Sequence, residues 1–473
     1  MKLVKNYFYN VGYQVFILIV PLITTPYITR VLGSEGVGIN AYTNSIIQYF
    51  ILLGSIGIGL YGNRTIAYVR DDKQKMSQNF WEISILRFIT IGIAYAAFLI
   101  FLIFTKQYQQ FYLYQSVQII AAAFDISWLF MGIENFQRTV LRNFFIKTLS
   151  VIAIFVFVKN SHDVGAYILV LTISTLIGNV SLWGYLRKTV SKPNFSQLNL
   201  IGHIRPSVGL FVPQIATQIY LVLNKTMLGS IDGVQSAGFY ENSDKMVKMV
   251  LAVVTATGTV MLPRMAHTFA AHDYEKLHQY LYTSFDFVSF ISVPMAFGLS
   301  AIAPKLATWF MGPEFAVTGN LIAVLSIVIV LIAWSNVLGT QYLLPTNQTR
   351  QYTASVTAGA IVNLLLNIWL ILQYHVMGAV IATVLSEVAV TGLQLYFIRN
   401  QLKISKLFYG IWKYFVAGII MYFAISYLNE IQGASFTNFA VQIIIGIFIY
   451  FILTVILNAP FIHVIRGFIK NKK

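Results

Sequence analysis

The sequence predicts an all-α, polytopic membrane protein with about 14 transmembrane helices. Three observations carry that prediction. Of the 473 residues, 57% are hydrophobic and only 10% charged, against about 25% charged in a soluble domain. Mean hydropathy is +0.71. The apolar residues are also gathered into runs of about 20, the length that crosses a bilayer as a helix. So little charge cannot cover a large soluble surface, which excludes a cytosolic enzyme, a nucleic-acid-binding protein and a disordered chain. The net charge of +16 therefore does not point to nucleic acid. There are no cysteines, so disulfides, thiolate metal sites and a cysteine nucleophile are excluded.

In order, the spans read 11–31, 39–61, 83–104, 111–131, 140–158, 164–186, 208–229, 239–262, 280–303, 321–344, 352–372, 376–398, 407–428 and 439–461. Lipid offers no hydrogen-bond partners to the backbone, so each must be helical rather than a strand. The first follows Lys2 and Lys5 like a signal peptide, but no small-residue cleavage site follows it, and it reads as a retained span. The fifth carries Arg142 and Lys147 in its first half, which are expected to snorkel to headgroups. With the N-terminus inside, 25 of the 32 Lys and Arg lie on inner loops or inner helix ends. The outer seven are Arg30, Lys106, Lys159, Lys225, Lys245, Lys248 and Lys305. That asymmetry places both termini in the cytoplasm and explains most of the positive charge. No loop exceeds about twenty residues, which leaves no room for a soluble catalytic domain.

A weak internal duplication is visible. LGSEGVGINAY at 32–42 is similar to LGSIDGVQSAGFY at 228–240. Asn44-Ser45 is then matched by Asn242-Ser243, Arg64 by Arg264, and Pro21 by Pro213. The offset of about 200 residues contains six spans, so both copies share one orientation. Parallel repeats of this kind occur in transporters, with the substrate path between the halves. The expected organisation is a lobe at 1–205, a pseudo-symmetric lobe at 206–400, a central cavity, and two extra helices in 401–473. A single-pore channel does not require such a duplication.

Ionisable groups inside spans are costly and mark functional sites by default. Arg30 and Lys225 hold near-equivalent places in the two copies, shortly before the repeated Leu-Gly pair. Either they supply cations to a substrate cavity, or they snorkel to outer headgroups. Lys245 and Lys248 are further cationic candidates, though Glu241 and Asp244 stand one turn before them as i, i+4 partners. Asp125 and Glu387 are candidates for ion coupling, since burial of a carboxylate suits proton carriage. The alternative for Asp125 is a structural pair with Arg87, and for Glu387 a neutral packing role. Asp286 is expected at the interface. Gln214, Gln218, Asn224, Asn363 and Asn367 are candidate polar lining, or else interhelical hydrogen bonds. Pro21, Pro26, Pro213, Pro294 and Pro304 are expected kinks. The glycines at 54, 57 and 59 lie in a span with no strand before them, so they form a packing face and not a nucleotide loop. His267, His272 and His278 match no metal spacing. No metal and no cofactor is expected. Without a phosphate-binding loop, energy must come from an ion gradient, the membrane potential or downstream consumption.

Several stretches resemble the bacterial polysaccharide flippases of the Wzx type. That family belongs to the larger group containing lipid II flippases and multidrug-and-toxin exporters. The resembling residues are PLITTPYITRVLG (21–33), YGNRTIA (61–67), FDISWLFMGIENF (124–136) with Arg142-Asn143 and Lys147, LGTQYLLP (338–345), Asn363 with Asn367, and GAVIATVLSE (378–387). The Asp-x-x-Trp-x-x-x-Gly-x-Glu run is the most specific. The chain departs from the family at Asn224-Lys225, where many relatives place an Asp, so an Asp-based cation site there is in doubt. The resemblance implies a non-enzymatic transporter of the bacterial cytoplasmic membrane. Its cargo would be an undecaprenyl-diphosphate-linked oligosaccharide, moved from inner to outer leaflet by alternating access for capsule, exopolysaccharide or O-antigen assembly. A polysaccharide polymerase and chain-length regulators are the implied partners, and nucleic acid is not. The competing readings are a flippase for lipid II or a teichoic-acid precursor, a drug/cation antiporter, and a membrane polymerase. Arg30 and Lys225 argue against the antiporter, and the short outer loops against the polymerase.

Overall fold

The computed structural model describes residues 2–193 and 198–463. Among them there is no strand, and helices account for nearly all of the chain. The all-α membrane architecture is therefore as the composition requires. The chain divides into two compact units, Met1–Gly229 and Ser230–Lys473.

The first unit opens with α1 (Lys2–Ser55), 54 residues long. At 1.5 Å per residue a straight helix of that length would reach about 81 Å, far beyond a hydrocarbon core of about 30 Å. The helix is instead broken at Gly33 (φ 69°, ψ −178°). Gly33 sits in the Leu-Gly pair between the first two expected spans, and only glycine adopts that conformation cheaply. The second crossing continues past Ile56 (φ 34°) and Gly57 (φ 72°) into α2 (Ile58–Val69). Next come α3 (Lys73–Phe104), α4 (Gln109–Ala123), α5 (Ser127–Gly132), α6 (Phe136–Phe157) and α7 (Val164–Ser181). Asp72 caps α3, accepting from the backbone N–H groups of Gln74 (3.0 Å) and Lys75 (3.1 Å). The Lys75 bond is the main reason its carboxyl is held below the usual range. A short α8 (Leu186–Thr189) precedes α9 (Ile201–Ile231), which ends the unit.

The second unit holds α10 (Val234–Ala270), α11 (Tyr274–Met311), α12 (Ala316–Leu325) and α13 (Ile327–Ser335). A π-helix, Asn336–Leu343, follows α13. It is formed by the stretch that resembles the family's LGTQYLLP run. Then come α14 (Thr349–Ile398), α15 (Ile404–Leu407), α16 (Ile411–Ile431) and α17 (Phe436–Ile456). Like α1, the 50-residue α14 is too long for one crossing, and it breaks at His375 (φ 53°, ψ −137°). The turn between α9 and α10 is made at Gly233 (φ 101°), not at the Leu228-Gly229 pair.

Among the described residues, nine helices are long and apolar enough to cross a membrane. Two of these, Phe16–Val69 and Thr349–Ile398, contain the breaks at Gly33 and His375 and accommodate two crossings each. Two further helix pairs, bent by 40° and 42°, qualify as single broken spans. That makes up to 11 candidate spans among the described residues, two of them long enough for two crossings, which is consistent with the 14 expected.

Candidate functional site

The fourth expected span, 111–131, is not continuous. It breaks between α4 and α5 at Phe124–Ile126, and the break frees backbone carbonyls at membrane depth. Each must find a donor, because lipid supplies none. Asn179 Nδ2 donates to Ala121 O (2.8 Å), Arg87 Nε to Ala122 O (2.6 Å), Trp183 Nε1 to Phe124 O (2.8 Å), and Trp128 Nε1 to Asp125 O (3.1 Å). Asp125 lies in the break, two residues before α5, and its Oδ1 accepts from Ser127 N at 3.0 Å. Its Oδ2 lies 3.5 Å from Arg87 Nη2, and the Arg87 side chain is 6% exposed. The structure therefore brings Asp125 to Arg87, the pairing weighed from the sequence.

The rest of that motif is packing. Trp128 is buried and stacks on Phe80 at 5.6 Å. A Cβ on Gly62 would meet Trp128 Cε3 at 2.5 Å, and one on Gly132 would meet Ile66 Cγ2 at 2.7 Å. Glu134, just beyond α5, pairs with Arg70 at 2.6 Å. Its hydrogen bond raises the Arg70 guanidinium further above its ordinary range.

A second cluster joins the N-terminal parts of α2 and α3 to the start of α9. Tyr61 Oη is 2.7 Å from His203 Nδ1, and His203 Nε2 is 2.6 Å from Glu82 Oε2. Asn199 N and Gln78 Nε2 both donate to Glu82 Oε1, at 2.8 and 3.1 Å. All three side chains of the chain Tyr61–His203–Glu82 are buried. One turn further along α9, Ser207 Oγ donates to Ile56 O (2.7 Å), the carbonyl freed by the α1–α2 break. The first turns of α9 are thus fixed to α2, α3 and the α1–α2 break at several independent points.

The predicted site residues fall as follows. Arg30 is exposed and turns back to donate to Pro26 O at 3.0 Å. Lys225 is half-buried and Asn224 buried. Gln218 is exposed, and the side chain of Gln214, like that of Pro213, lies outside the described residues. Lys245 pairs with Glu241 (3.0 Å) and Lys248 with Asp244 (2.6 Å), the two i, i+4 pairs expected. Asn363 and Asn367 are fully buried on α14, and Asn367 Nδ2 donates to Asn363 Oδ1 at 3.0 Å. Glu387 is 7% exposed on the same helix. Arg142 does not snorkel as expected: its Nη1 donates to Asn179 Oδ1 at 3.1 Å. Nor is Asp286 simply interfacial, since it accepts from Tyr414 Oη at 2.7 Å, between α11 and α16.

The second unit also contains an apolar groove of about 570 Å³ between α11, α16 and α17. Pro294, Gly298, Met421, Gly446 and Tyr450 contribute to its walls. Its lining is almost wholly hydrocarbon and aromatic.

The family described as "polysaccharide biosynthesis protein" matches residues 3–269, more than half of the chain. The chain belongs to the polysaccharide biosynthesis protein family. This agrees with the motif resemblance. The chain is 24% identical over 377 residues to a Shigella dysenteriae protein described as "Putative O-antigen transporter", covering 78% of this chain and 93% of that one. It is 22% identical over 406 residues to the protein of that description in Escherichia coli strain K12, covering 85% and 98%. Among solved structures it shares the fold of a lipid II flippase, MurJ, in an inward closed conformation. That match has a TM-score of 0.73 and 17% identity and covers 95% and 98% of the two chains. An inward-facing multidrug exporter of the MATE family matches with a TM-score of 0.57 and 13% identity, covering 81% and 98%.

For this member of the polysaccharide biosynthesis family, sequence reasoning missed Glu82, His203 and Tyr61. They lie 121 and 142 residues apart in the chain. A buried-face position for Glu82 on α3 was the available signal.

Proposed function

We propose that the protein is a flippase for an undecaprenyl-diphosphate-linked oligosaccharide. It carries the repeat unit from the inner to the outer leaflet of the bacterial cytoplasmic membrane, with both termini inside. The product would feed capsule, exopolysaccharide or O-antigen assembly, with a polymerase and chain-length regulators downstream. The observation that carries this reading is similarity to O-antigen transporters along nearly their whole length.

The roles follow from chemistry. The duplicated lobes, 1–205 and 206–400, alternate in access, with 401–473 attached to them. Arg30 and Lys225 hold the diphosphate, since guanidinium and ammonium groups form charge-assisted bonds to phosphate oxygens. Lys245 and Lys248 contribute once released from their acidic neighbours. Gln214, Gln218, Asn224, Asn363 and Asn367 line the polar path. Glu387, a buried carboxylate, and Asp125 are the coupling candidates, and the pair with Arg87 gives Asp125 a structural role as its alternative. The apolar groove suits the polyprenyl tail.

The test is to delete the gene and determine which leaflet holds the lipid-linked oligosaccharide. Accumulation in the inner leaflet, reversed by the wild-type gene, supports the reading. Outer-leaflet accumulation of single units would instead indicate a polymerase, and no change a drug exporter. In the complemented strain, Arg30→Gln and Lys225→Gln should each reduce polymer export at normal expression.

A further inference from the structure

Five amide side chains and one hydroxyl form a continuous polar ladder within the membrane-spanning part of the first unit. Asn40, Asn44 and Gln48 stand at successive i, i+4 positions on α1, so they form one stripe with a step of about 6 Å. Gln115 and Gln118 face them from α4. Gln48 Nε2 donates to Asn44 Oδ1 (3.0 Å) and Gln118 Oε1 (3.2 Å). Gln118 Nε2 donates to Gln115 Oε1 (2.7 Å), and Gln115 Nε2 to Asn40 Oδ1 (3.0 Å). Thr43 Oγ1 lies 3.5 Å from Gln115 Nε2.

The ladder has a sealed side and an open side. Gln115 and Thr43 are buried, whereas Asn40, Asn44, Gln48 and Gln118 are half-exposed. Asn44 Nδ2 and Gln48 Oε1 take no partner among the described residues, and neither is sealed from the surface. Polar groups at this depth do not face lipid but a protein interior or a watered path. The ladder therefore presents preoriented donors and acceptors to such a path, and its internal bonds fix their directions. None of its members is charged, so it lacks the cations that neutralise a diphosphate and the carboxylates that neutralise a cation. Sugar hydroxyls, each donor and acceptor at once, are the chemistry it fits, because an amide answers both functions.

We propose that this ladder is a glycan-reading surface: Asn44, Gln48 and Gln118 hydrogen-bond the hydroxyls of the oligosaccharide during transfer and set which sugars are accepted. This rests on the flippase reading above.

The test uses full-length protein in liposomes with two probes. One is a polyprenyl diphosphate bearing a trisaccharide, and the other bears a single N-acetylglucosamine. Transfer is read by oxidation of sugar diols with membrane-impermeant periodate for the first probe, and by a membrane-impermeant lectin for the second. Asn44→Ala is the mildest variant, because among the described residues the side-chain bond Asn44 makes is within its own helix. It should slow trisaccharide transfer about fivefold, and Gln48→Met with Gln118→Met tenfold or more. Transfer of the single-sugar lipid should stay within twofold of wild type in both. Equal losses on the two probes, or no loss on either, would overturn the proposal. A wild-type protein that moves neither probe would overturn the flippase reading itself, and the proposal with it.

Discussion

His203 Nε2 and Glu82 Oε2 lie 2.6 Å apart with both side chains buried, joining the start of α9 to α3 across 121 residues. Tyr61 completes the imidazole's second hydrogen bond. A pair of this kind is costly to break from one side only, because the remaining partner is left buried and unsatisfied.

The first prediction follows from that asymmetry. Glu82→Ala and His203→Ala should each lower the detergent melting temperature, since each strands a polar partner. The double variant should lose less than the two losses added, with a coupling of about 1–3 kcal/mol. Strictly additive losses would show that the two side chains do not act together.

The second prediction concerns glycine. Gly62 and Gly132 are pressed against Trp128 and Ile66, whereas Gly59 has nothing within 4 Å of where a Cβ would stand. Gly62→Ala and Gly132→Ala should each destabilise by about 1–3 kcal/mol through overpacking. Gly59→Ala should be neutral or slightly stabilising, as expected for alanine in a helix. Melting curves for the three variants check this, and equal behaviour would contradict the packing around Trp128.

The contrast between these positions shows what the chain made legible. Spans could be read because each needs about 20 apolar residues in a row, and that demand is local. The Asp-x-x-Trp-x-x-x-Gly-x-Glu run could be singled out, and so could the Asp125–Arg87 pairing. The helix break it creates could not, since nothing between Phe124 and Ile126 is a proline or glycine. That break persists because Asn179, Arg87 and Trp183, from three positions on other helices, satisfy the freed carbonyls. The π-helix at Asn336–Leu343 was hidden for a similar reason. Gln341 is held by Ser284 and Asn336, and a Cβ on Gly258 would lie 2.6 Å from Asn336 Oδ1. Tertiary partners decide such features, and periodicity does not register them.

A third prediction separates the two roles weighed for Asp125. Asparagine retains an oxygen that accepts from Ser127 N but gives up the charge opposite Arg87, and alanine gives up both. Asp125→Ala should therefore be less stable than Asp125→Asn by about 1 kcal/mol, the worth of that hydrogen bond. Because Arg87 and the helix N-terminus already engage the carboxylate, Asp125→Asn should leave the pH and sodium dependence of transport unchanged. A changed ion dependence in that variant would restore Asp125 as a coupling group.

The last prediction tests the groove between α11, α16 and α17. Its walls are nearly free of polar atoms, so its natural content is a hydrocarbon chain or lipid tails, driven by burial of apolar area at roughly 25 cal/mol per Å². Gly298 lines it, and a Cβ there would meet only Met421 Cε, at 3.7 Å, an ordinary contact. A leucine at that position should therefore fold normally while occupying part of the 570 Å³ available. If the groove carries the polyprenyl tail, Gly298→Leu should slow transfer of long-chain polyprenyl lipids more than short-chain ones bearing the same sugar. Gly298→Ala should have a smaller effect in the same direction. Equal slowing for both chain lengths would place the tail elsewhere, and leave the groove to annular lipid.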